Sequence, residues 1–114
     1  MLFKKHRLNR DKDFKNLFKV GKRQENIDFR LIFTKNYLDC NRFAFVVDNS
    51  VSNKAVKRNL LKRRLRAIIR KSFNDLIQGF DIAILAKPNS INRTFQELEK
   101  SLGSLLVTSG LIKQ

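Results

Sequence analysis

Apolar residues recur along this chain at helical spacing in some stretches and at alternate positions in others, and the switches mark out its elements. Phe14, Leu17 and Phe18 lie behind Asp11 and Asp13 and ahead of Gly21, which predicts a helix from about Asn9 or Arg10 to Val20. From Ile27 to Phe33 the period becomes two. Ile27, Phe29, Leu31 and Phe33 share one face; Asp28, Arg30, Ile32 and then Thr34 share the other, as in a strand with one buried side. Leu38 to Asn41 reads as a turn, and Phe43 to Val47 as a second strand, apolar on both faces. Asp48 to Asn53 is polar, with Ser52 placed to cap the helix that follows. That helix runs from Lys54 to Phe73 or beyond and stops before Gly79. Phe80 to Ala86 is apolar enough for a central strand, and Lys87-Pro88-Asn89-Ser90 breaks it. Thr94 with Glu97 three residues on forms a capping box for a last helix that buries Leu98, Leu102, Leu105 and Leu106.

The predicted order is helix, strand, strand, long helix, strand, helix: an α/β fold in which strands two and three flank the long helix as a β-α-β unit. With 114 residues and no repeat or linker, the chain reads as a single domain spanning 1–114, large enough to bury a core without disulfides. Residues 1–8 are basic and expected to be mobile.

Charge sharpens the picture. Lys and Arg number 25 against 10 Asp and Glu, a net of +15, and an excess of that size persists most readily beside a polyanion. Between Asp48 and Asp75 there is no acidic residue, and nine of the eighteen residues from Lys54 to Lys71 are Lys or Arg. At about 100° per residue, Leu61, Leu65, Ile68, Ile69, Ser72 and Leu76 form one stripe that must pack on the sheet. Asn59, Lys62, Arg63, Arg66 and Arg70 gather on another side, with Arg58 at the border. Lys57, Arg64 and Lys71 flank them. A face used only for solubility mixes both signs, and this one does not, so nucleic acid is the expected partner. Arginine suits it, because its planar fork grips two phosphate oxygens at once.

Other chemistry is scarce. Cys40 is the one cysteine and His6 the one histidine, so neither a disulfide nor a cysteine metal site is expected. No apolar run of signal or membrane-spanning length is present, and a reducing, cytoplasmic setting is expected. A protein nuclease needs clustered carboxylates or a histidine pair. The nearest pairs, Asp11 with Asp13 and Glu97 with Glu99, suit a helix first turn and a solvated face.

The stretch Lys54-Ala55-Val56-Lys57-Arg58-Asn59-Leu60-Leu61-Lys62-Arg63-Arg64-Leu65-Arg66 resembles the signature helix of the bacterial ribonuclease P protein subunit. Arg7-Leu8 with Asp13-Phe14, Leu17-Phe18 and Gly21 resembles that family's first helix, and Phe80 to Ala86 its last strand. The resemblance covers roughly residues 6–106. It implies a ribosomal-protein-like α+β sandwich whose β-α-β crossover is left-handed, against the usual rule. It also implies a function: a subunit of a ribonucleoprotein endoribonuclease in which a catalytic RNA removes the 5′ leader of precursor tRNA by Mg²⁺-dependent hydrolysis. No catalytic or metal-binding residue is then expected on the protein, nor an obligate protein partner. The resemblance places Arg58, Asn59, Lys62, Arg63 and Arg66 on the RNA subunit, and Arg70 shares their face. It places Phe14 and Phe18 in a cleft for the single-stranded leader, with Arg7, Arg30 and Ile32. Spacing alone makes a Phe pair four apart a core feature; the resemblance reverses this for at least one of them.

The chain departs from the family pattern at several positions. Leu60 stands where a third basic residue is usual, Asn49 and Ser50 where lysines are common, Ile32 where an aromatic is frequent, and Ala67 where an acid is frequent. The alternative is a ribosomal or general RNA-binding protein, alike in charge and size. A helix-turn-helix DNA reader fits less well because strands flank the basic helix. A membrane-surface role fits least, since the apolar stripe is needed for the sheet.

Overall fold

In the computed structural model, which describes residues 6–8 and 10–113, a four-stranded sheet carries one helix on one face and two on the other. The elements are α1 (Asp11–Val20), β1 (Lys22–Glu25), β2 (Phe29–Lys35), β3 (Arg42–Val46), α2 (Ala55–Ser72), β4 (Phe80–Ala86) and α3 (Phe95–Thr108). Short 3₁₀ turns at Phe73–Asp75 and Pro88–Asn92 follow α2 and β4. The strand order is β1-β2-β4-β3. β4 is antiparallel to β2 and parallel to β3, so the chain leaves β3, crosses through α2 and returns beside it.

The sheet buries both faces, by different residues. Phe29, Leu31, Phe33, Phe43, Ile82 and Ile84 point to the larger core, where α2 supplies Leu61, Leu65, Ile68 and Ile69, and α3 supplies Leu98, Leu102, Leu105 and Leu106. The predicted helical stripes are therefore the packed ones. On the opposite face Ile32, Ala44 and Ala83 meet Leu17 of α1 and Leu8. Small side chains at Ala44 and Ala83 let α1 lie close to the sheet.

Several expectations need correction. The alternation pattern does not foresee β1, because Lys22-Arg23-Gln24-Glu25 is exposed throughout and has no apolar period; its strand character comes from pairing with β2. β2 is not buried on one side only, since Ile32 is buried beneath α1. It also begins at Phe29, leaving Ile27 exposed. Residues 1–5 lie outside the described residues. The other end of the segment expected to be mobile is docked instead: the Leu8 N–H donates to the Phe43 carbonyl at 2.8 Å, Leu8 is buried, and the His6 ring meets Phe73 edge-on at 4.8 Å.

Ser52 does not cap α2. The cap position falls at Lys54, which has no side-chain acceptor, and the Ser52 hydroxyl instead accepts from the Lys54 N–H at 3.2 Å. The Thr94–Glu97 capping box forms as predicted, with both reciprocal bonds present. Gly21 ends α1, but not through left-handed backbone: its φ is −68°. A Cβ there would stand 2.5 Å from the Leu17 carbonyl oxygen and 2.7 Å from Ile32 Cγ2, so glycine is required by the closeness of helix and sheet.

Candidate nucleic-acid interface

Because α2 buries Leu61, Leu65, Ile68 and Ile69, helical geometry turns its remaining positions away from the sheet. Asn59, Arg63, Arg66 and Arg70 are exposed, and Lys62 is half-exposed. Among the described residues none of these cations is engaged in an ion pair, and six of the chain's ten carboxylates are occupied elsewhere. Asp81 and Asp13 hold Arg42, Asp28 and Glu97 hold Arg93, Glu25 holds Arg30 and Lys87, and Glu99 holds Lys71. Of the acidic pairs considered for a nuclease, Asp13, Glu97 and Glu99 are thus built into structure. The first turn of α2 contains no acid and lies at the positive end of the helix dipole, which adds to the attraction for anions.

Two of the face's arginines are oriented by neighbours. Arg58 is half-buried, and its Nη1 donates to the Ser52 carbonyl at 3.0 Å, tying the preceding loop to the helix. The Arg66 guanidinium lies 5.7 Å from the centroid of the Phe45 ring. Lys71 belongs to the flank: it pairs with Glu99 at 2.7 Å and lies 5.9 Å from the Phe95 ring centroid, both on α3. Leu60 is exposed, away from the buried stripe.

The second surface lies across the sheet. Phe14 and Phe18 are half-buried and stacked, with centroids 5.0 Å apart and planes inclined by 20°. They edge the smaller core together with Leu85. Arg30 is exposed and pairs in register with Leu85 on the same face. Its Nε donates to Glu25 at 2.8 Å. With Lys87 at 3.0 Å on its other oxygen, the Glu25 carboxyl is held below its usual range, Lys87 contributing first and Arg30 next.

The structure separates the remaining cleft candidates. Ile32 forms the floor under α1 and offers no free surface. Arg7 is exposed and bridges to Phe43 on the outer edge of β3. Phe14, Phe18 and Arg30 therefore share the α1 side of the sheet, with Ile32 buried under α1 and Arg7 beside the edge strand β3.

Sequence reading missed the groups that hold this surface in place. Arg42 joins Asp81 through two bonds, Nε to Oδ1 at 2.8 Å and Nη2 to Oδ2 at 2.7 Å, and reaches Asp13 of α1 at 3.2 Å. The hydrogen bond from Asp81 is the main reason its pKa is raised further. Arg23 donates to the Phe18 carbonyl at 2.6 Å and closes the end of α1. No local signal marks either, because each bond depends on strand pairing.

A three-layer α+β domain with an unneutralised arginine face on its crossover helix and an aromatic pair on the opposite side is an RNA-binding subunit. The match to known proteins narrows the class: the Ribonuclease P family model covers residues 2–109, and the chain belongs to the ribonuclease P protein family, acting in tRNA 5′ processing. The ribonuclease P protein component of Syntrophomonas wolfei is 32% identical over 111 residues, 97% of this chain and 92% of that protein. The component of Thermotoga petrophila is 35% identical over 96 residues, 84% of this chain and 80% of that protein. The structure of the ribonuclease P protein from Thermotoga maritima superposes with a TM-score of 0.81 at 34% identity, covering 88% of this chain and 94% of that one. The Staphylococcus aureus protein superposes at 0.88 with 23% identity over 95% and 98% of the two chains, a likeness of fold.

Proposed function

We propose that the chain binds the catalytic RNA of ribonuclease P through α2 and holds the 5′ leader of precursor tRNA against Phe14 and Phe18, while the RNA carries out the hydrolysis. The observation that carries this reading is the division of labour on one small domain. Arg58, Asn59, Lys62, Arg63, Arg66 and Arg70 lie on one side of the sheet, and the stacked phenylalanines lie on the other. A protein with both surfaces can touch a folded RNA and a single strand at once. Charge suits the first because phosphates line it. An aromatic ledge suits the second because stacking accepts any base.

Mg²⁺ belongs to this reading as the RNA's cofactor. Among the described residues no group of three or more His, Cys, Asp or Glu side chains is arranged to hold a metal. No described helix is long and apolar enough to cross a membrane.

Cleavage of precursor tRNA at low Mg²⁺, with catalytic RNA and with or without this protein, tests the proposal. The protein should raise the rate, and Phe18→Ala should erode the preference for precursor over mature tRNA while leaving affinity for the RNA subunit nearly intact. An unchanged rate, with unrelated RNAs bound equally well, would return the chain to general RNA binding.

A further inference from the structure

At the far end of the sheet from Arg30 lies a cavity of about 400 Å³ that neither proposed RNA surface uses. Its Phe33 floor belongs to the face of the larger core, whereas Phe14 and Phe18 pack on the Ile32 face, so this cavity is separate from the aromatic ledge. Its floor is apolar, formed by Phe33, Phe80 and Leu111; its rim carries Lys22, Lys35 and Tyr37, and no carboxylate lines it. Among the described residues neither lysine forms an ion pair.

Tyr37 is placed with unusual care for a surface residue. It is 90% exposed and has φ of 61°, a left-handed conformation that a bulky aromatic rarely adopts. Asn36 fixes that geometry. Its side chain accepts from the Leu38 N–H at 2.8 Å and donates to the Cys40 carbonyl and to Asp81 Oδ1 at 3.1 and 3.0 Å. Its own N–H donates to the Gly79 carbonyl at 2.9 Å. The turn therefore holds the Tyr37 ring in a fixed place on the rim of the cavity.

We propose that this cavity takes one unpaired nucleotide of single-stranded RNA, its base between Tyr37 and the Phe33–Phe80 floor and its adjoining phosphates on Lys22 and Lys35. The ring and floor offer a base the stacking surfaces it needs, and the cations lie where a backbone would leave on either side. The inference stands independently of the leader assignment at Phe18.

The chain has one tyrosine and no tryptophan, so Tyr37 is its own reporter. Titration of the full-length protein with pentaadenylate should shorten the Tyr37 fluorescence lifetime, and Phe18→Ala should leave that response in place. With labelled pentaadenylate, measured in a Phe18→Ala background to silence the other ledge, Tyr37→Ala should weaken binding roughly 5- to 150-fold, the range of one lost stacking contact. Lys22→Gln with Lys35→Gln should lower the slope of log affinity against log salt by about 1.4, two single-strand phosphates. No lifetime change, a response abolished by Phe18→Ala, or an unaltered slope in the lysine variant would overturn the proposal. Tripolyphosphate or ADP matching pentaadenylate in affinity would also overturn it, the first by showing a site for charge alone and the second a site for free nucleotides.

Discussion

Replacing Arg42 by alanine tests whether α1, and with it the phenylalanine ledge, is held by one guanidinium. Arg42 makes a two-pronged bond to Asp81 and a third to Asp13, joining β3, β4 and α1. Asp81 is buried, and in the variant its carboxylate keeps only the Asn36 amide at 3.0 Å. Stranding a buried charge by removing its partner costs about 3–5 kcal/mol. Because the Arg42 side chain retains 21% exposure, water relieves part of this and the lower figure, about 3 kcal/mol, applies. For a domain of this size that is a fall in Tm of roughly 12 °C, at about 4 °C per kcal/mol. Thermal unfolding followed by circular dichroism measures it. The double variant Arg42→Ala/Asp81→Ala should recover much of the loss, since neither charge is then left alone. A single variant within about 1 kcal/mol of the parent, or a double variant as unstable as the sum of two singles, would refute the clamp.

Arg66→Ala should flatten the salt dependence of catalytic-RNA binding by about one unit; Phe45→Ala should weaken the same binding less and leave the slope unchanged, because it removes only the ring that orients the charge. Gly21→Ala should destabilise by about 2 kcal/mol, since its Cβ collides with backbone that cannot yield; chemical denaturation reads this directly. Asp28 is buried, which by itself opposes ionisation, yet Ser101, Asn89 and Arg93 hold its carboxyl below the ordinary 3.8. Stability from this group is therefore full above about pH 4 and lost as pH falls through the lowered value. Asp28→Asn should cost roughly 3 kcal/mol at pH 7, since it takes the charge from the acceptor of three bonds, one of them the ion pair with Arg93, and should blunt the loss of urea resistance on acidification.

Elements with their own periodic signal are legible in the sequence itself. Leu61, Leu65, Ile68 and Ile69 declare the buried side of α2, and its cationic face follows because a helix has only one other side to offer. The apolar run of β4 and the Thr94–Glu97 box are of the same kind. What stays hidden depends on partners distant in sequence. β1 is a strand only because β2 supplies its hydrogen bonds, and Ile32 is buried only because α1 folds back over it. Arg42 and Asp81 lie 39 positions apart and become neighbours through parallel pairing alone. At the candidate site, composition indicates RNA and the family resemblance locates the second surface. Only the folded chain distinguishes Ile32 as floor, Phe14 and Phe18 as ledge, and Arg30 as a cation already shared with Glu25.

The strand order also sets a schedule. β4 lies between β2 and β3 in space but is made after both, so the sheet has no centre until Ala86 has been synthesised. Before then β1 and β2 form a ribbon, and β3 and α2 lack the surface on which their apolar sides belong. A nascent chain halted before Phe80 thus offers an arginine-rich helix segment with nothing to pack against. Closure of the sheet by its last strand joins the β1–β2 ribbon to β3 and α2 in one step, which makes β4 the natural place for the folding nucleus. Substitutions at Ile82, Ala83 or Ile84 should slow folding, whereas those at the exposed β1 should chiefly speed unfolding.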